Sequence, residues 1–167
     1  MSDQTLDNKQ LLPAERARIG KSLLTQAPRS SHCNWTPASE RPDPIRLLQA
    51  QDKGRQQDLL PIKYRRMLAS PFAFLRGSAV VMASDLAATP VTGLQVVLCD
   101  DAHLSNFGIF ATPERNLIFD INDFDEAYPG PWEWDLKRLA ASAMVAGREK
   151  GFKEQDCRCL AELVPRS

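Results

Sequence analysis

The chain has 167 residues, enough for one ordinary domain and too few for two. Apolar residues make up 43% and charged residues 25%, which excludes a wholly disordered chain, and no apolar run nears the roughly 20 residues of a membrane-spanning helix. Lys plus Arg balance Asp plus Glu at 21 each, so no net positive field argues for nucleic acid or an anionic membrane surface as a partner.

Residues 1–10 are polar and acidic rather than basic then apolar, unlike a secretory signal, and a cytoplasmic location is expected. Pro13 ahead of Ala14-Glu15-Arg16 reads as a helix start, with the helix running toward Gln26. The stretch from Arg29 to Pro42 is rich in turn formers and carries one large ring, Trp35. Asp43-Pro44 offers an N-cap and a first-turn proline for a short helix through Leu48. Residues 1–60 read as an arm laid over a core that begins after them.

Pro61 to Ala69 is helical in pattern, and Ser70-Pro71 interrupts it. A strand-like run through Phe72 and Phe74 leads to Arg76-Gly77, followed by a small-residue helix from Ser78 to Ala88. Leu94 to Cys99 is expected as a short buried strand. Phe107–Ala111 and Leu117–Ile121 are apolar runs separated by Thr112–Asn116, the pattern of a hairpin with a five-residue loop. Pro129-Gly-Pro131 reads as a break, after which Leu136, Leu139, Ala140, Ala143 and Met144 recur at helical spacing. Lys153 to Val164 begins another helix. Cys157-Arg-Cys159 has one residue between its thiols and no second Cys/His pair nearby, so reduced cysteines are expected rather than zinc ligands.

Asp100, Asp101, Asp120, Asp123 and Asp125, with Asn106 and Asn122, sit at the two ends of the proposed hairpin. A hairpin brings its ends together, and carboxylates that close repel unless a cation joins them. Carboxylate and amide oxygens suit Mg²⁺ or Mn²⁺. The alternative reading is of solvated turn and cap residues. Asp101-Ala-His103-Leu-Ser-Asn106, followed by Asp123-Phe-Asp125, supplies what phosphoryl transfer needs: an Asp for the acceptor hydroxyl, an Asn, and a second Asp for the metal.

This segment resembles the catalytic and metal-binding loops of the aminoglycoside and choline phosphotransferases, members of the protein-kinase-like superfamily. The resemblance implies that Asp101 is the catalytic base, Asn106 a metal ligand and Asp123 the metal-binding Asp, with Asp120 and Asp125 the alternatives to Asp123. His103 becomes a loop-ordering residue, and Asp135 in Trp134-Asp-Leu136 the Asp that braces the catalytic loop. Mg²⁺ (or Mn²⁺) and ATP are the implied cofactors. The sequence departs from that pattern at Cys99, where His is usual, and at Asp100, where Gly is frequent. Arg76 has two readings, a phosphate-binding group or a partner for one of the clustered Asp residues.

Ser70-Pro-Phe-Ala-Phe-Leu-Arg-Gly77, Asp101-Ala-His-Leu-Ser-Asn-Phe-Gly108, Phe119-Asp-Ile-Asn-Asp-Phe-Asp125 and Pro129-Gly-Pro-Trp-Glu-Trp-Asp-Leu-Lys-Arg138, with Arg41-Pro-Asp-Pro44 before them, resemble the bacterial domain of unknown function 2252 family. Members of that family run longer, which implies that residues 61–167 are its catalytic-loop region, truncated at the C-terminal side and lacking a Gly-rich nucleotide segment. The expected fold is α+β and mostly helical, a kinase-like catalytic-lobe fragment. The expected function is transfer of the ATP γ-phosphoryl group to a hydroxyl of a small molecule or protein. A metal-dependent phosphate-ester hydrolase and a degenerate, non-catalytic binding fragment are the alternatives.

Overall fold

The computed structural model describes residues 11–33 and 35–166. The acidic N-terminal segment, residues 1–10, and Ser167 lie outside the described residues. The fold is α+β and mostly helical. Among the described residues no helix is long and apolar enough to cross a membrane.

Helix α1 spans Pro13–Gln26, with Pro13 in its first turn and the Glu15 carboxylate accepting from the Leu12 N–H at 3.0 Å. None of its residues is buried. Helix α2, Pro44–Asp52, starts where the Asp43 carboxylate accepts the Ile45 N–H at 2.9 Å. Its Leu48 is 1% exposed and forms the centre of the core with Met67 and Val81. These two come from α3 (Leu60–Met67) and α5 (Ala79–Leu86).

Between them the expected strand-like run is a helix, α4, Pro71–Arg76. Ser70-Pro71 does end α3, but the same pair begins α4. The Ser70 hydroxyl accepts the Ala73 N–H at 3.1 Å, and proline fits the first helical position because its missing donor has no intrahelical partner there.

Four strands follow. Strand β1 is Gln95–Leu98, β2 is Phe107–Ala111, β3 is Leu117–Ile121 and β4 is Tyr128–Pro131. The β2–β3 hairpin has the expected bounds and the five-residue connection, with Ile109 opposite Phe119. The proline-flanked break turns out to be strand β4, antiparallel to β1 with Val96 opposite Gly130. Proline is tolerated because this is a two-stranded sheet with open edges. A Cβ at Gly130 would meet Leu98 Cδ1 at 2.5 Å, so a larger residue would require the buried Leu98 side chain to move. Gln95, Val96 and Val97 are exposed and only Leu98 is buried, against the expectation of a buried strand. The hairpin, too, lies largely at the surface instead of in the core.

The β1–β4 pairing closes a loop, residues 99–127, that contains the whole hairpin and every clustered carboxylate. Helix α6, Trp132–Glu149, leaves directly from β4, and α7, Glu154–Leu163, packs back along it.

Candidate functional site

Asp135, in the first turn of α6, accepts the Cys99 N–H through Oδ2 at 2.9 Å and the Asp100 N–H through Oδ1 at 3.1 Å. It thus holds the two backbone groups immediately before Asp101. Burial pushes the Asp135 carboxyl above its ordinary range, against the two N–H bonds and the Arg138 charge, which favour ionisation. Asp100 takes up the turn with φ of 61°, in the left-handed region where a Cβ is disfavoured. Its carboxyl is also pushed up, by burial and then by Glu126 and Asp135. The position where glycine is frequent in the resembling families is therefore a position whose backbone suits glycine. Burial pushes the Cys99 thiol up to about 11, so it stays protonated and inert.

Asp101 is held by Arg138. Nε donates to Asp101 Oδ1 at 2.9 Å, and Nη2 bonds the same oxygen and also the Leu75 carbonyl at 2.8 Å. The arginine is 3% exposed, while the Asp101 side chain keeps 26%. The carboxylate therefore has a face open to solvent and a fixed back. His103 is buried, with Nε2 3.3 Å from Asp101 Oδ2 and its ring edge-on to Phe72. Its Nδ1 is buried without a hydrogen-bond partner among the described residues.

Asn106 ties the two acidic loops together. Its Nδ2 donates to the Asp101 carbonyl at 3.3 Å and to the Asp123 carbonyl at 3.1 Å, and its side-chain oxygen takes no part in either bond. Beside it, a Cβ on Gly108 would come within 2.5 Å of Asn122 Nδ2, so glycine lets the second loop sit down on β2. Asp123 Oδ1 accepts the Asp125 N–H at 3.0 Å, which shapes the turn and leaves the other oxygen out of that bond. Asp120 lies in β3 opposite Gly108 and accepts from the Ile121 N–H at 2.8 Å; Asp125 is exposed. The structure thus brings Asp101, His103, Asn106, Asp123 and Asp135 together. Among the described residues no three His, Cys, Asp or Glu side chains converge as a metal cage.

Arg76 stands exposed at the end of α4, with no hydrogen bond or ion pair among the described residues. The guanidinium that pairs with Asp101 is that of Arg138, while Arg55 reaches the same loop at Glu126. The signal of Arg138 in the sequence was its position three residues after Asp135, which puts both on one face of a helix.

Residues 55–167 match the family described as "Uncharacterized protein conserved in bacteria (DUF2252)". The chain belongs to that family. The matched residues include all of the acidic loop, α4 and α6, so the contacts just described lie within the part that defines a DUF2252 protein. No curated protein and no solved structure matches the chain.

Proposed function

We propose that this DUF2252 chain carries the base and metal-binding loops of a kinase-like phosphotransferase acting on a hydroxyl acceptor. The observation that carries this reading is the double tether: Asp135 fixes the backbone before Asp101, and Asn106 joins the backbone at Asp101 to that at Asp123. A half-open carboxylate and a second carboxylate are thereby held on two loops that cannot separate independently.

Asn106 Oδ1 and the second Asp123 oxygen would hold Mg²⁺, which takes few protein ligands and fills its shell with water and phosphate oxygens. Bound Mg²⁺–ATP supplies the transferable phosphoryl group and the counter-charge. The chain's own part is local. Asp101 accepts the hydroxyl proton, Arg138 keeps the carboxylate in one orientation from behind, and His103 fills the space beside Oδ2.

The test is Mn²⁺ titration of the ¹⁵N-labelled protein with ATP present. Paramagnetic broadening should appear first at the Asn106 side-chain amide and the Asp123 backbone, and Asp123→Ala should remove it. Broadening spread evenly over the exposed carboxylates would overturn the reading.

A further inference from the structure

Behind Asp101 lies an open cavity of about 430 Å³, between α4, α5 and α6. Its walls include Trp35, Phe74, Met82 and Val145, and its two charged residues are Arg138 and Asp85. Volumes of this order are those of small-molecule sites, which are mostly apolar with a few placed polar groups.

Both charges are already matched. Asp85 receives Arg41 through Nε at 2.6 Å and Nη2 at 2.8 Å, and Arg138 is paired with Asp101. What is not matched is one end of the Arg138 fork. Nε and Nη2 have oxygen acceptors, whereas Nη1 has, among the described residues, only the Met82 thioether sulfur at 3.8 Å. A thioether is a weak acceptor, and Nη1 carries two N–H groups on a side chain that is 97% buried, the complement of its 3% exposure. Met82 and Arg138 both line the cavity, and Nη1 is the end of the guanidinium that faces Met82.

The geometry points to this cavity as a binding site for a small, neutral, largely apolar molecule carrying one hydrogen-bond acceptor, such as an aryl or alkyl ketone, whose oxygen takes the Arg138 Nη1–H. A hydrocarbon would offer Nη1 no acceptor and would leave that donor as under-used as before. A carboxylate would meet Asp85 across the same cavity without any unbalanced positive charge to offset it. Because Arg138 reaches the site and the cavity at once, occupancy registers at Asp101 through a single side chain. The inference concerns binding only and stands apart from the phosphotransferase reading.

Acetophenone and ethylbenzene, which differ by a carbonyl in place of a methylene, are the probes, followed by NMR of the Arg138 Nε–H and the methyl groups of Met82 and Val145. Acetophenone should shift these signals saturably and bind at least as tightly as ethylbenzene, although it is the more water-soluble of the two. Benzoate should bind at least tenfold more weakly. Val145→Trp, which fills the cavity from a half-buried position, should weaken acetophenone at least tenfold. Met82→Leu, which keeps the volume and removes the sulfur, should leave acetophenone binding within about threefold of the wild type and serves if Val145→Trp does not fold. Tighter binding of ethylbenzene, shifts centred elsewhere, or no saturation up to the solubility of acetophenone would each overturn the proposal.

Discussion

Arg138 and Asp101 form an asymmetric pair: the guanidinium is 3% exposed and the carboxylate side chain 26%. Removing either partner strands the other, but the two stranded charges differ in what they can reach. Asp101 left alone can hydrate through its open face. Arg138 left alone cannot, and it keeps only the Leu75 carbonyl and a sulfur. Asp101→Ala should therefore cost more stability than Arg138→Met, about 3 kcal/mol against about 1–2 kcal/mol. Urea unfolding of the two variants checks the order, and the reverse order would mean that the Asp101 loop depends on Arg138 for its shape.

The same asymmetry dictates how the proposed base is tested. Asp101→Asn keeps an acceptor oxygen for Arg138 and should leave Mg²⁺-dependent nucleotide binding within about threefold, since metal contact is assigned to Asn106 and Asp123. Asp123→Ala should abolish that binding. Calorimetry that shows equal losses in the two variants would assign Asp101 to the metal instead.

The φ of 61° at Asp100 predicts a graded series. Asp100→Ala keeps the Cβ and loses the short polar side chain that makes this region tolerable, so it should be about 1 kcal/mol less stable than Asp100→Gly. The carboxyl adds a pH dependence. Burial and then Glu126 raise it above its ordinary range, so the folded state binds its proton more tightly than the unfolded state. The penalty is absent below about pH 4 and grows as pH rises through the interval between the unfolded and folded values. Asp100→Asn, which also tolerates a left-handed backbone, should be more stable than the wild type at pH 7 and lose that advantage near pH 3. Chemical denaturation at the two pH values measures it.

Asp135→Ala would leave the Cys99 and Asp100 N–H groups without their acceptor. At about 1–3 kcal/mol for a buried donor left unsatisfied, the variant should lose at least about 2 kcal/mol. The Cys99 and Asp100 amides should show the largest increase in hydrogen exchange. Faster exchange spread uniformly over α6 would show that Asp135 acts on the helix and not on the loop.

Local chemistry was the legible part of this sequence. The bounds of α1 and of the hairpin follow from a first-turn proline and from apolar runs flanking a polar connection, signals carried within a few residues. Signals with two meanings were read one way only. Ser70-Pro71 stops one helix and starts the next, and Pro129-Gly-Pro131 disrupts a central strand but not one in a two-stranded sheet. Leu48 belongs to the core although its neighbours in sequence do not, because its burial is set by α3 and α5. In the site, Asp101, Asn106 and Asp135 stood out by residue type and spacing. The Arg138–Asp101 pair spans 37 positions, and its one local trace is the spacing of Arg138 three residues after Asp135. Residue type and spacing do not separate Asp120, Asp123 and Asp125; of the three, Asp123 is the one whose main-chain carbonyl accepts from Asn106, 17 residues away.

The ladder between β1 and β4 places Leu98 opposite Tyr128, so the acidic loop leaves and returns at one point. Lengthening such a loop costs only about 0.6 kcal/mol per doubling, and the far end of the hairpin, around Arg115, is exposed and carries no site residue. A fluorescent or affinity tag of a few residues inserted between Glu114 and Arg115 would therefore change the length of the segment without altering where it is anchored. The hairpin tip becomes a handle for labelling the protein one strand length away from the carboxylates, with both of their tethers left in place.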